Sequence, residues 1–419
     1  MPSFDEDLNR RFAALREQNL FRELRRVDSA QGARIEIGGK SFLNFSANDY
    51  LGLANHPVLK AAACKAVADF GAGAGASRLI CGSLAPFHEL EEALAAFKKT
   101  EAALTFATGY AAAIGTITAL VGKGDIVILD KLVHASIVDA AKLSGAKLRI
   151  FAHNDLEDLE DKLKWAAAAA RHSSLITRHC LIVTESIFSM DGDAAPLREI
   201  VALKEKFGAW LMVDEAHATG IIGENGRGLA DALGVSDRIE IQMGTLGKAL
   251  GVSGGYICGR RALIDYLINR ARSFIFSTAP VPAAAAAATA AIKLVQSTEG
   301  ETRRSHLRQR VTEFKSAICN PQSAIAGAIV PLILGDEAKA VAIAAQLREQ
   351  GIFVPAIRYP TVARGAARLR ITFSAAHSAP EVATLCRALE RWLPAGEFLK
   401  RMATSRQDAG APDDLPKLS

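Results

Sequence analysis

Residues 180–220 read CLIVTESIFSMDGDAAPLREIVALKEKFGAWLMVDEAHATG, two short apolar runs separated by a helical segment. The runs CLIVT and AWLMVD are continuously apolar, the pattern of strands buried on both faces, and residues 197–207 between them carry helical spacing. Two strands joined through a helix are the smallest piece of a covered parallel sheet. The pattern extends both ways: ALTF, DIVILD and KLRIF come before, IEIQM and GGYIC after, with helical segments at 110–121, 134–144 and 155–170. Seven runs predict an α/β fold with a mostly parallel seven-stranded sheet and helices on both faces. Only ten residues lie between IEIQM and GGYIC, several of them glycines. A parallel crossover takes about a dozen or more, so the last strand is predicted to run antiparallel.

Outside this block, residues 4–26 are charged with a helical pattern and read as an N-terminal arm. ARIEIGGKSFLNFS reads as two short strands joined at Gly38-Gly39, and NHPVLKAAACKAVADF as a helix that Gly71 stops. Past residue 296, charged helix followed by strand and helix signals marks a smaller C-terminal α/β unit. The expected division is an arm at 1–45, a large domain at 46–295, a small domain at 296–395 and a disordered polar tail at 396–419.

Composition narrows the classes. The chain has 419 residues, half of them hydrophobic and 23% charged, which suits a globular protein and argues against disorder. Ala inflates the apolar half, so small side chains should let elements pack closely. The net charge of +5 is too diffuse for nucleic-acid binding, though it favours anionic partners mildly. MPSFDEDLNRR has no apolar core, so no secretory signal is expected. No run reaches the about eighteen apolar residues of a membrane span. Cysteines 64, 81, 180, 258, 319 and 386 are scattered without C-x-x-C spacing, which predicts free buried thiols in a reducing cytoplasm, with neither zinc nor disulfides.

In an open parallel sheet, ligands bind beyond the carboxyl ends of the strands. His134 follows DIVILD, Glu185 and Ser189 follow CLIVT, Asp214 ends AWLMVD with His217 three residues on, and Thr245 and Lys248 sit in the glycine-rich loop after IEIQM. Gly109 and Tyr110 open a helix. Singly, His134 reads as a helix cap, Asp214 as a turn residue and Lys248 as an exposed loop lysine. Together they supply what pyridoxal phosphate needs: an amine for its aldehyde, a carboxylate for its ring nitrogen and a phosphate cradle. Lys248 and Asp214 fill the first two roles; backbone N–H groups of Gly109 and Tyr110, with the Thr245 hydroxyl, fill the third. Other motifs fail. GAGAGAS (71–77) follows a predicted helix where a dinucleotide loop needs a strand, SMDGDAAP is too short of ligands for calcium, and no metal site is expected. GENGRG (223–228) reads as a flexible connection and MDGD as a tight turn.

NFSANDYLGL, GAGAGASR, FSMDGD, VDEAHATG, GENGRG, GTLGKALGVSGG and ARLRITFSAAH, in this order, resemble the α-oxoamine synthases, pyridoxal-phosphate enzymes of fold type I. The resemblance covers roughly residues 20–392. It implies that Lys248 binds the cofactor and serves as acid/base, that Asp214 pairs with the ring nitrogen, and that His217 and Ser189 bond the ring oxygen. It also implies that His134 stacks on the ring and contacts substrate, and that Arg370, Arg358 and Thr361 line the substrate site. An arginine of the arm joins them; Arg22, Arg25 and Arg26 are the candidates, with Arg22 favoured by its spacing to Gln31-Gly32. AIRYPTVARGAARLRITFSAAHS, SIFSMDGDAAPL and FAHND resemble the biotin-synthesis branch. That branch implies condensation of L-alanine with a pimeloyl thioester of coenzyme A or an acyl carrier protein, by a cytoplasmic homodimer. Sibling activities, such as glycine C-acetyltransferase or the 5-aminolevulinate and sphingolipid-type synthases, stay open, as does a non-catalytic scaffold subunit of this fold.

Overall fold

The computed structural model describes residues 2–18, 20–171, 179–318, 327–390 and 392. The expected tail at 396–419 and Cys319 lie outside the described residues. The chain opens with α1 (Phe4–Glu17), β1 (Arg34–Ile37), β2 (Lys40–Asn44), α2 (Pro57–Phe70) and α3 (Ala85–Lys98). Strands and helices then alternate through β3 (Ala102–Phe106), α4 (Gly109–Leu120), β4 (Ile126–Asp130), α5 (Ala135–Ser144), β5 (Lys147–Phe151) and α6 (Leu156–Arg171). They continue through β6 (Cys180–Glu185), α7 (Leu197–Phe207), β7 (Trp210–Asp214), α8 (Leu229–Ala232), β8 (Ile241–Thr245) and β9 (Gly255–Gly259). Helices α9 (Arg261–Arg270), α10 (Arg272–Ile275), α11 (Pro282–Val295) and α12 (Thr298–Ala317) follow. Last come β10 (Ile329–Gly335), α13 (Glu337–Glu349), β11 (Ile352–Phe353), β12 (Ala356–Ile357), β13 (Ala367–Thr372) and α14 (Ala379–Glu390).

Two compact units result. Among the described residues, Asn48–His306 with Gly327 form one; the residues up to Ala47 and from Leu307 onward, Gly327 excepted, form the other. The first holds a seven-stranded sheet in the order β3-β9-β8-β7-β6-β4-β5. β9 is antiparallel to β3 and β8, while β8, β7, β6, β4 and β5 pair in parallel, as the short IEIQM–GGYIC gap required. The apolar runs are continuous because successive residues serve two cores. Val127, Leu129, Leu181, Val183 and Met212 pack against α4, α5, α9 and α10, whereas Ile126, Ile128, Ile182, Leu211 and Val213 pack against α6 and α7. β5 is an edge and partly exposed; its Lys147 and Arg149 lie 4.7 and 4.0 Å over the Trp165 ring. Elsewhere in this unit α11, built largely from alanine, packs directly against α2 and α3.

The second unit holds two three-stranded sheets, β1-β2-β11 and β10-β13-β12. Gly38 and Gly39, with φ of +57° and +73°, close the β1–β2 hairpin. The helical arm expected over 4–26 stops at Glu17. Phe21 turns back onto the helix, its ring 6.1 Å from Phe12 and 4.2 Å from the Arg16 guanidinium, which forces the chain off the helix axis.

Two other readings are corrected. Cys258 and Cys386 are buried free thiols, but Cys64 and Cys81 are exposed; Cys64 lies on α2, which buries only Leu59 and Ala66, and Cys81 lies in the loop that follows it. GENGRG is no flexible connection. Lys98 Nζ, buried, donates to the Glu215 carboxylate and to the Arg227 carbonyl, and Glu215 Oε1 accepts the Ala230 N–H at 2.9 Å. Gly228 (φ +121°) lies so close that a Cβ there would enter the Glu215 carboxylate. No helix of the described residues is long and apolar enough to cross a membrane.

Candidate active site

The carboxyl ends of β4, β6, β7 and β8 gather most of the expected residues in the first unit. Asp214 ends β7 beside Glu185 of β6, its direct partner in the register. Asp214 Oδ1 accepts the Ala216 N–H at 2.8 Å, and Glu185 Oε2 accepts the Ser189 N–H at 3.1 Å. Both carboxyls are buried, which raises both pKa values. For Glu185 the charge of Asp214 adds to burial, and the two together push its pKa well above the usual carboxylate range. For Asp214 the charges of Lys248 and His134 and the Ala216 N–H oppose burial, favouring its charged form, though burial still raises its pKa. Glu185 Oε1 is buried without a hydrogen-bond partner.

Lys248 occupies the loop after β8, folded back by bonds from Gly251 N–H to its carbonyl and from Val252 N–H to the Leu246 carbonyl. Its Nζ lies 2.7 Å from His217 Nε2, and His217 Nδ1 lies 2.6 Å from the Tyr50 hydroxyl. Tyr50 is fully buried within NDYLG, a turn that Asp49 closes by accepting the Leu53 N–H at 2.7 Å. A Cβ at Gly251 would sit 2.6 Å from Ala54 N, so this turn and the lysine loop touch through their backbones.

His134 does what its bland reading foresaw: it caps α5, its Nδ1 accepting the Ser136 N–H at 3.2 Å. Burial lowers its pKa, with Lys248 adding to the effect against Asp214, so the ring is neutral. At α4, Thr108 Oγ1 accepts the Ala111 N–H at 3.0 Å, which leaves the N–H groups of Gly109 and Tyr110 outside the helix ladder. Thr245 lies alongside, its Cβ 3.9 Å from a Cβ built on Gly109; its hydroxyl donates to the Gly254 carbonyl at 2.9 Å. The Tyr110 hydroxyl donates to Asp139 at 2.9 Å. β9 crowds this corner: a Cβ on Gly255 would fall 2.6 Å from both Gly109 Cα and the Thr108 carbonyl oxygen.

The remaining candidates belong to the second unit. Arg22 donates to Thr361 Oγ1 at 3.4 Å and Arg358 to the Phe21 carbonyl at 3.1 Å. Partial burial and the neighbouring charge of Arg22 lower the Arg358 pKa. Arg26 pairs with Asp28 at 2.6 Å instead. Arg370 is buried in β13 and donates to Thr372 Oγ1 at 3.1 Å. The structure therefore assembles Lys248, His217, Asp214, His134 and Ser189 with the α4 start in one unit, and Arg22, Arg358 and Thr361 in the other.

Sequence reasoning missed Tyr50, although it stands in one of the quoted motifs; nothing in NDYLG says that a phenol will meet a histidine 167 residues away. The donor set fits pyridoxal phosphate. An amine, an ionisable buried carboxylate, a flat neutral imidazole and free helix N–H groups surround a corner that contains an unpartnered carboxyl oxygen.

The family model for class I and II aminotransferases matches residues 40–389. The chain is 48% identical over 385 residues to the 8-amino-7-oxononanoate synthase of Geotalea daltonii, covering 91% of this chain and 95% of that protein. It is 49% identical over 384 residues to the same enzyme of Anaeromyxobacter dehalogenans, covering 91% and 94%. Among solved structures it is similar to the serine palmitoyltransferase of S. paucimobilis with bound PLP–myriocin (TM-score 0.84, 29% identity, 92% and 96% coverage).

Proposed function

Since the chain belongs to the class I and II aminotransferase family and its relatives are 8-amino-7-oxononanoate synthases, we propose that it is a pyridoxal-phosphate-dependent acyltransferase of biotin biosynthesis. It joins L-alanine to a pimeloyl thioester. Alanine loses its α-proton, its α-carbon bonds to the pimeloyl carbonyl as the carbon–sulfur bond breaks, and the β-keto acid so formed then loses its carboxyl group as carbon dioxide and takes a proton back at that carbon. The products are 8-amino-7-oxononanoate, carbon dioxide and the free thiol carrier.

The observation that carries the reading is the Lys248–His217 contact of 2.7 Å beside the buried Asp214. Lys248 supplies the attachment amine, Gly109, Tyr110 and Thr245 hold the phosphate, and His134 offers a neutral ring face. When bound, the cofactor supplies an electron sink for the charge left at the α-carbon. Asp214, whose charged form Lys248 and His134 favour, keeps a positive ring nitrogen in place. Lys248 Nζ takes the α-proton and returns it to product, an acid–base role that its neighbour His217 supports. His217 and Ser189 bond the ring oxygen, and Arg22, Arg358, Thr361 and Arg370 receive the amino acid carboxylate, for which forked guanidinium donors suit both oxygens.

The thioester rides on coenzyme A or an acyl carrier protein, and the enzyme is a homodimer. Exposed Ile80 and Phe276, brought near one another by the Ser77–Thr278 bridge, support a second copy as the cover of that surface. The free thiols support a reducing, cytoplasmic setting. Lys248→Ala should abolish turnover and remove the visible absorbance of the loaded enzyme while far-ultraviolet circular dichroism stays native. Unchanged absorbance would defeat the assignment. Faster turnover of glycine with acetyl-CoA than of alanine with either pimeloyl thioester would move the enzyme to a sibling activity.

A further inference from the structure

Two motifs remain unused, FAHND (151–155) and MDGD (190–193), and the structure joins them. Asp130, the last residue of β4, is buried. Its Oδ1 accepts the Leu132 N–H at 2.8 Å and lies 3.0 Å from His153 Nδ1; its Oδ2 accepts the Asn154 N–H at 2.9 Å. His153 Nε2 lies 2.9 Å from Asp193 Oδ2. Asn154, held at φ +56°, donates from its side chain to Asp193 Oδ2 at 3.1 Å and to the Ala194 carbonyl at 3.2 Å. The His153 and Phe188 rings meet edge to face with 4.3 Å between centroids.

Each end of this arrangement leads to the site. Leu132 lies two residues before His134. Asp193 closes a hairpin with the Ile187–Ala194 bridge and a bond from Phe188 N–H to the Asp193 carbonyl at 3.0 Å, and Ser189 is carried on that hairpin. An imidazole that faces a carboxylate at each nitrogen must donate twice, which only the imidazolium does. Burial opposes that charge, but the bonds to Asp130 and Asp193 outweigh it and push the His153 pKa up to about 10.

We propose that His153 is a positioning residue. Clamped between Asp130 and Asp193, it couples the loop that delivers His134 to the hairpin that delivers Ser189, so the two groups hold one register on either side of the bound cofactor. This rests on the functional reading above for the roles of His134 and Ser189.

The test is hydrogen exchange on the full chain without cofactor, followed by cofactor binding and kinetics of the loaded enzyme. In Asp193→Asn and in His153→Gln, amides of residues 131–136 should exchange about tenfold faster together with those of 187–194, although Asp193 touches nothing in the first segment. The loaded variants should bind cofactor about tenfold more weakly and lose kcat with little change in the KM for alanine, the pattern of a misplaced reacting group. Exchange at 131–136 that stays at the wild-type rate overturns the coupling; normal cofactor affinity and kcat despite faster exchange overturn the positioning role. If His153→Gln does not fold, Asp193→Asn, whose side chain is 25% exposed, carries the test alone. The exchange measurement is independent of the proposed chemistry, which the Lys248→Ala absorbance tests separately, so either can fail without the other.

Discussion

Gly255→Ala puts the geometry of the α4 start on trial. The added methyl would meet only backbone: Gly109 Cα and the Thr108 oxygen at 2.6 Å, Gly109 N at 2.7 Å. Ordinary contact begins at 3.4 Å, so the first turn of α4 must retreat by about 0.8 Å. It has little room, since Ala112 and Ala113 on the next turn are completely buried. Overpacking of this kind costs about 1–3 kcal/mol of folding stability. The same shift carries the N–H groups of Gly109 and Tyr110 away from a phosphate. A hydrogen bond to a charged group is worth about 1.5–3 kcal/mol, so losing one lowers cofactor affinity by about ten- to a hundredfold. Urea unfolding of the cofactor-free chain measures the first effect, and titration of the visible absorbance with added pyridoxal phosphate the second. Gly122→Ala, whose added methyl meets nothing nearer than 3.9 Å, is the control, expected within about 0.5 kcal/mol of wild type. A Gly255→Ala enzyme with wild-type unfolding and cofactor affinity within about threefold would refute both the close approach and the phosphate role of this helix start.

Two further outcomes follow from buried charge. Lys98→Met should cost about 3–5 kcal/mol in urea unfolding, because it strands the buried Glu215 carboxylate, left among the described residues with the Ala230 N–H as partner; a loss below about 1 kcal/mol would show that the pair contributes little. His153→Gln should be destabilised in a pH-dependent way: the folded pKa of about 10 lies above the ordinary 6.5, so the stabilisation is full below 6.5 and is lost as pH rises through about 10. The stability gap between wild type and variant, followed by denaturant melts, should narrow over that window; a gap that is flat from pH 6.5 to 10 would contradict a charged His153 between Asp130, Asp193, Asn154 and Phe188.

The sheet was legible because its strands announce themselves twice. Ile126, Ile128 and Val127, Leu129 feed opposite cores, so the run has no polar face, and the short return to GGYIC left only one direction for β9. Polar residues placed just after such runs lie at neighbouring strand ends, which is why Asp214, Glu185 and His134 could be proposed together from the sequence. The rest depends on pairings the chain order does not carry. Lys98 and Glu215 are 117 residues apart, Asp130 and His153 23, His153 and Asp193 40, and no local pattern matches one to the other. That same gap explains the misreading of GENGRG, whose glycines look loose until the buried carboxylate beside Gly228 is known. The arm was overextended for a related reason: helical composition continues to residue 26, but the turn at Phe21 answers to an aromatic contact, not to propensity.

Helix α11 has a bearing on how this chain tolerates drift. Its stretch of alanines looks like low-information text, the kind of segment where substitutions should pass unnoticed. Yet Ala285, Ala287, Ala288 and Ala291 are all buried in a helix that packs against α2 and α3. Val or Leu at any of these buried sites adds volume to a packed interior, and overpacking of that kind costs about 1–3 kcal/mol. The plainest words in the sequence are thus among the hardest to rewrite.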